Sequence, residues 1–407
     1  MGQYESYHLQ KFMRVDQTIT KGGVDPSLPL TYVSRGYQQN GRKSAKVPTI
    51  EHSRTHWESL VPYLQSLDEA LEGLGPILKK VASHNDHNAI IVMVCNFGHS
   101  ELLLNFICNA RAKGFGHILD NILLFATDQE TQDLAESMGI TSVFLESIFG
   151  SMPSDAAKRY ADKTFKRMMA AKVYCVQMVS MLGYDILFQD VDVVWYKNPL
   201  EWFHDSSSDH YHFDMYFQDD GNHGLFYAPY SANTGFYYVR NNPRTQFFFN
   251  SLLMTGDLIL STSSHQIALV SLLNEHASMY GLRVKIWERN KHEFPGGYTY
   301  HRMAAKKFLK SLMAGEEDDT YVFHMSWTAS KKDKLKFFQQ MGEWYLEDKC
   351  IGTKLDALAI DSGGQGKTTS SECCAADATV TCHYRDKPSK IPCKDSPPID
   401  KGARSFW

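Results

Sequence analysis

The sequence predicts an α/β protein in which a mostly parallel sheet is flanked by helices. Three observations carry this. Two continuous apolar runs, Asn88-Ala-Ile-Ile-Val-Met-Val-Cys95 and Asn121-Ile-Leu-Leu-Phe-Ala126, have the character of strands buried on both faces. Stretches of helical period separate and flank them. Each run ends in polar turn residues, Asn96-Phe-Gly-His and Thr127-Asp128, as strands of an alternating βαβαβ unit do.

The elements follow in order. Residues Ser53–Ser83 form a helix, with Trp57, Leu60, Leu64, Leu67, Leu71, Leu74 and Leu78 recurring three or four apart. The strand ending at Cys95 leads into a helix over Glu101–Lys113. The strand ending at Ala126 leads into a helix over Gln129–Met138, and Thr141–Leu145 is a third short strand. A long amphipathic helix over Ala156–Leu182 stops at Gly183, and Lys172 lies among its apolar residues. Ligands of such sheets bind beyond the carboxyl ends of the strands, which makes Asn96 and Asp128 candidate donor-binding residues.

Composition narrows the class. The chain has 407 residues and a net charge of −4, a balance that argues against a nucleic-acid partner. There is no run of about 20 apolar residues to span a membrane. The expected organisation is an N-terminal lead-in with a helix over 1–84, a catalytic domain over 85–346 and a Cys-rich tail over 347–407. Cys95, Cys108 and Cys175 lie singly in apolar stretches and read as buried thiols. Cys350, Cys373, Cys374, Cys382 and Cys393 crowd a polar tail, which reads as disulfide-stapled in an oxidising compartment, the secretory pathway or Golgi lumen. Five is odd, so one of them stays free or pairs elsewhere. Zinc is the rival reading, but paired C-x-x-C knuckles are missing.

The segment Tyr184-Asp-Ile-Leu-Phe-Gln-Asp-Val-Asp-Val-Val-Trp195 carries the chemistry. Read as one strand, it places Asp190 and Asp192 two residues apart on one side. Burying either carboxylate unpaired costs several kcal/mol, so a cation belongs there. Oxygen ligands at a sheet edge suit Mn2+ or Mg2+. The same D-x-D pattern also fits a haloacid-dehalogenase-like phosphohydrolase, although in that family it sits on the first strand of the core. A non-catalytic nucleotide-sugar-binding protein is the other alternative.

The run Phe188-Gln-Asp-Val-Asp-Val-Val-Trp-Tyr-Lys-Asn-Pro199 resembles the signature of the nucleotide-diphospho-sugar transferases of glycosyltransferase family 77. That group includes plant cell-wall xylosyl- and arabinosyltransferases. Separated blocks extend the resemblance from about Ile90 to Leu346: Asn96 with Asn105, Leu123-Leu-Phe-Ala-Thr-Asp128, Lys172, Tyr216-Phe-Gln-Asp-Asp-Gly221, Ala232-Asn-Thr-Gly-Phe-Tyr-Tyr-Val-Arg240, and Val322-Phe-His-Met-Ser-Trp327 with Lys334. The resemblance implies a GT-A fold and transfer of a hexosyl or pentosyl unit from a UDP-sugar to a hydroxyl of a glycan or glycoprotein, with retention of configuration. It implies Asp190, Asp192 and His324 as metal ligands. Asn96, Asp128, Lys172, Asp190, Asn233, Gly235, Gln266 and Lys334 are the expected donor-binding residues, with Asp220 and Gln218 at the reacting centre. Where family members commonly carry Asp-Gln, this chain has His265-Gln266, which removes a carboxylate from the expected donor side.

Overall fold

The computed structural model describes residues 12–14, 30–32, 47–150, 152–157, 162–221, 227, 229–317, 319–328, 330–355, 370–382 and 388–391. The first short pair, Phe12–Arg14 with Leu30–Tyr32, is antiparallel.

Helix α1 (Ile50–Ala82) opens the main body. Thr49 caps it, accepting from the His52 amide while the His52 ring accepts from the Thr49 amide. Its buried stripe is His56, Leu60, Tyr63, Leu67, Ala70, Leu74, Leu78 and Val81. The expected stripe is therefore partly rotated: Trp57 and Leu64 face solvent, and Tyr63 and Ala70 take the inner face. Apolar spacing alone does not separate two adjacent stripes when both carry large residues.

Seven strands form the central sheet. They are β1 (Ala89–Cys95), β2 (Ile122–Ala126), β3 (Thr141–Phe144), β4 (Asp185–Gln189), β6 (Met215–Asp219), β7 (Ala232–Val239) and β8 (Val284–Ile286), with β5 (Val193–Trp195) outside it. Their order is β8-β6-β7-β4-β1-β2-β3. Neighbours are parallel except at β7, which runs against both β4 and β6. This is the mostly parallel α/β sheet expected. β1 is buried along its whole length: Ala89, Ile91, Met93 and Cys95 enter one core, and Ile90, Val92 and Val94 enter the other. Helices α1, α4 (Lys163–Met181), α5 (Pro243–Met254), α6 (Gly256–Thr262) and α7 (His265–Tyr280) cover the second core; α2 (Ser100–Ala112) and α3 (Gln129–Ser137) bury their apolar faces in the first.

Two expectations are corrected here. The segment 184–195 is not one strand. β4 ends at Gln189, Asp190-Val191-Asp192 turn, and β5 leaves the sheet to pair antiparallel with β9 (Val322–His324). The Asp190 amide still bonds the Gly235 carbonyl at 2.7 Å, and the Met325 amide bonds the Asp192 carbonyl at 2.9 Å, so the turn is anchored on both sides. The long helix begins at Lys163, where the Asp162 carboxylate accepts from the Phe165 amide at 2.8 Å. Ala156 and Ala157 lie outside any helix, and 158–161 lie outside the described residues.

The tail joins the body. β10 (Trp344–Leu346) pairs antiparallel with β11 (Cys374–Thr379). Disulfides link Cys350 to Cys373 and Cys108 to Cys374. Cys108 is thus no free thiol: it lies on α2 and takes the odd tail cysteine, whereas Cys95 and Cys175 are free and buried. Cys382 is also disulfide-bonded, and Cys393 lies outside the described residues. No described helix is long and apolar enough to cross a membrane.

Candidate active site

The antiparallel course of β7 builds the site. Because β7 enters where β4 and β6 end, Asn233-Thr234-Gly235 lies beside the turn after β4 and the turn after β6. Gln189 is in register with Phe236, and Gln218 with Asn233. β9 brings His324 to the same edge through its pairing with Val193. Ligand atoms of Asp190, Asp192 and His324 lie within 4.8 Å of one another.

A cleft of about 560 Å³ opens over this cluster. Of the expected residues, Lys172, Asp190, Asp220, Asn233, Gly235, Gln266, His324 and Lys334 line it. Asp192 lies beneath, almost fully buried.

Each carboxylate is held by a lysine through one oxygen. Lys172 on α4 bonds Asp190 Oδ1, and Lys334, in the first turn of α8 (Lys331–Met341), bonds Asp192 Oδ2 at 2.6 Å. The other oxygen of Asp192, Oδ1, faces His324 Nε2 at 3.4 Å. Burial alone would raise the Asp192 carboxyl pKa, but the Lys334 ammonium and the His324 ring outweigh it and hold it well below the usual range.

The tautomer of His324 follows from its neighbour. Both N–H groups of the Gln218 amide are committed, to the Phe294 carbonyl at 3.0 Å and the Pro295 carbonyl at 2.9 Å. Its Oε1 must therefore accept from His324 Nδ1, 2.8 Å away. Nε2 is the ring nitrogen left to face Asp192 Oδ1; with its proton displaced, it and the carboxylate oxygen form a pair of donors for one cation. Gly235 supplies the room. A Cβ there would meet His324 Cε1 at 2.4 Å and Asp190 Oδ2 at 2.8 Å. Two carboxylates and an imidazole nitrogen around a space a methyl group would fill are a fitting donor set for a divalent ion.

A second polar group lines the opposite wall. Asn233 donates to Asp220 Oδ1 at 2.9 Å and accepts from the Gly235 amide at 2.7 Å. Burial raises the Asp220 carboxyl pKa, against the hydrogen bonds from Asn233 and Gln266. Gln266, in the first turn of α7, accepts from the Thr234 amide at 3.1 Å. His265 is buried beside it, with Nδ1 at 2.8 Å from Met169 Sδ. Desolvation and then Lys172 push its pKa well below the usual imidazole range.

Three expected residues do not reach the cleft. Gln218 lies fully buried beneath it and hydrogen-bonds His324 and the Phe294 and Pro295 carbonyls. Asp128 is consumed as the cap of α3, accepting from the Thr131 amide, the Thr131 hydroxyl and the Phe97 amide. Asn96 donates to the Pro153 and Asp155 carbonyls. Both do sit at strand ends, but local backbone groups saturate them.

Asn96 nevertheless has a consequence that the sequence hid. With its N–H groups spent, its Oδ1 accepts from His99 Nδ1 at 2.9 Å, and His99 lines the cleft. Desolvation, then Lys334 and Lys331, push the His99 pKa down to about 4. His99 and His324 are thus oriented by the same device, an amide whose donors are locked. Lys331, close to the expected Lys334, is a further lining residue. It bonds the Gly98 carbonyl at 2.8 Å and Glu101 at 2.9 Å.

Comparison with known proteins agrees with this geometry. Residues 117–338, more than half of the chain, match the family model described as nucleotide-diphospho-sugar transferase. The beta-arabinofuranosyltransferase RAY1 of Arabidopsis thaliana is 23% identical over 367 residues, covering 83% of this chain and 63% of that protein. The UDP-galactose:fucoside alpha-3-galactosyltransferase of Dictyostelium discoideum is 23% identical over 314 residues, covering 67% of this chain and 45% of that one. The chain therefore spans only 45–63% of the length of these two curated relatives. Among solved structures, the galactosyltransferase LgtC with donor and acceptor sugar analogs is 12% identical, covers 64% of this chain and 99% of its own, and has a TM-score of 0.39. On the match over 117–338, the chain belongs to the nucleotide-diphospho-sugar transferase family, as its resemblance to glycosyltransferase family 77 implied.

Proposed function

We propose that this chain is a metal-dependent glycosyltransferase that moves a hexosyl or pentosyl unit from a UDP-sugar to a hydroxyl of a glycan or glycoprotein, retaining anomeric configuration. The convergence of Asp190, Asp192 and His324 around the space left by Gly235 carries the reading. Asp190 Oδ2, Asp192 Oδ1 and His324 Nε2 would hold Mn2+, with Mg2+ the alternative, since a nitrogen ligand favours the softer ion. When bound, such an ion supplies Lewis-acid neutralisation of the sugar diphosphate.

The remaining steps belong to the protein. Lys172 and Lys334 place two ammoniums at the mouth of the carboxylate pair, where charge develops on the departing diphosphate. Lys334 also stands in the first turn of α8, where the helix dipole favours an anion. Gly235 lets the backbone of β7 approach a flat sugar ring. Asp220, pinned by Asn233, faces the cleft as the carboxylate at the reacting carbon; Gln218 acts through His324 as a positioning residue. The names of the relatives, an arabinofuranosyl- and a galactosyltransferase, support the class of reaction. The disulfides Cys108–Cys374 and Cys350–Cys373 support residence in the oxidising lumen of the secretory pathway, such as the Golgi.

Screening UDP-sugars for hydrolysis with and without Mn2+ tests the reading. Asp192→Ala should lower the Mn2+-dependent release of UDP at least about a hundredfold. Undiminished release by a folded Asp192→Ala protein, or UDP binding with no turnover of any UDP-sugar, would defeat it.

A further inference from the structure

A second cleft, about 650 Å³ in volume, lies next to the first and plays no part in the chemistry above. Its walls include Arg289, Arg302, Lys307 and Tyr298, with Glu317 as the acidic residue among them. The Tyr298 ring carries two guanidinium groups, Arg289 at 4.5 Å and Arg302 at 4.4 Å from its centroid. Arg302 and Lys307 are exposed, and neither forms an ion pair among the described residues. Arg289 reaches Asp219 Oδ1 at 3.0 Å and the Gly221 carbonyl at 2.8 Å through Nη2, while its buried Nε–H has no hydrogen-bond partner among the described residues.

The two clefts share a wall. Trp327 lines the first, and its indole meets the Tyr298 ring edge-on at 5.2 Å. Its Nε1 donates to the Asp220 carbonyl. Tyr298 packs so closely on Gly221 that a Cβ there would lie 2.2 Å from its ring. The turn Asp219-Asp220-Gly221 therefore sends one carboxylate to each side: Asp220 into the donor cleft and Asp219 to Arg289 in the second.

We propose that this second cleft is the acceptor subsite and that the acceptor it takes is an anionic saccharide, one carrying carboxylate, sulfate or phosphate groups. The inference rests on the glycosyltransferase reading given above. An aromatic ring stacked with guanidinium groups suits a sugar ring with an acidic substituent: the sugar lies against the wall formed by Tyr298 and Arg302, and the exposed Arg302 guanidinium, with Lys307, pairs with the anion. An acidic peptide would use the charges and leave the aromatic wall without a partner. Arg302 and Lys307 set the preference for charge, and Arg289 links an occupied cleft to the turn that carries Asp220.

The test is calorimetric titration of the whole chain, first with UDP and Mn2+, then with an oligogalacturonide, its carboxyl-reduced counterpart and a hexaglutamate peptide. The oligogalacturonide should bind at least about tenfold more tightly than the reduced sugar, and increasingly so as ionic strength falls. It should bind with UDP and Mn2+ already in place rather than compete with them. The double substitution Arg302→Ala, Lys307→Ala should weaken it at least about tenfold while UDP affinity stays the same. Equal affinity for the acidic and reduced sugars overturns the proposal. So does competition with UDP, tighter binding of the peptide, an unaffected double variant, or no binding of the acidic sugar. Absence of UDP binding in the first titration is a separate result that sinks the donor reading instead.

Discussion

Gly235 shows how much of the site is decided by a single missing carbon. The D-x-D pair was legible from its residues, because it interrupts an apolar stretch where a polar group needs a partner; the histidine and the N-T-G run were legible through the family resemblance. Their convergence was not legible, since it depends on a strand reversal and on a pairing between β5 and β9. Gly235→Ala would put a methyl group where a cation fits, 2.4 Å from His324 Cε1 and 2.8 Å from Asp190 Oδ2. Its expected effect is a loss of Mn2+ affinity of about 10- to 100-fold with an unchanged circular-dichroism spectrum. Retained affinity would mean that the ion sits elsewhere. Two of the expected donor residues stand apart from the cleft for one reason. Asp128 and Asn96 occupy ligand-facing strand ends, but nearby amides and carbonyls consume them, and spacing does not reveal local saturation. His99 escaped notice for the converse reason: a histidine in a turn carries no pattern, and its role emerges only once Asn96 fixes its tautomer.

Among the elements, β7 is the one whose direction matters most. Its apolar run reads as a buried strand in either orientation, so the sequence predicts the strand and leaves its sense open. The division of 184–195 into β4 and β5 was hidden likewise, because the apolar residues on both sides of the turn maintain one unbroken pattern. The far end of the β6–β7 pair is tied by Asp214, buried and bonded to Arg244 at 2.8 Å and Arg283 at 3.0 Å. Burial opposes ionisation of Asp214, but the Arg244 and Arg283 guanidinium groups outweigh it and hold the carboxyl at about 2, below its ordinary 3.8. A depressed folded-state pKa means stability that is fully present above the unfolded value and lost as pH falls through the folded one. Asp214→Asn should therefore cost about 1–2 kcal/mol at neutral pH, a figure reduced because both arginines are partly exposed. The gap between the two proteins should narrow between pH 4 and pH 2. Urea denaturation at neutral pH and at the acid end checks this; a gap that widens on acidification contradicts it.

The whole molecule is closed by covalent means as well as by packing. Composition made the tail legible as a disulfide-bonded segment, but the apolar setting of Cys108 disguised it as a core thiol. Its sulfur faces β11 across the α2 surface, and buried disulfide cysteines sit in the same surroundings as free ones. The Cys108–Cys374 bond spans 266 residues and ties the tail strand to a helix of the first core. Cys108→Ser should lower stability by about 2–4 kcal/mol and open the segment after Leu346 to limited proteolysis. An unchanged melting temperature together with a protected tail would show that the β10–β11 pairing suffices.

The irregular step between Phe217 and Gln218 in the pairing of β6 with β7 has a further consequence. Downstream of it, consecutive residues are sorted to three destinations: Gln218 beneath His324, Asp219 to Arg289, and Asp220 to the reaction cleft. Inserting or deleting one residue within this stretch would hand each side chain its neighbour's position. Over these few residues the protein can accept a changed side chain far more readily than a changed count, so the spacing from Asp214 to Gly221 is itself a heritable part of the site.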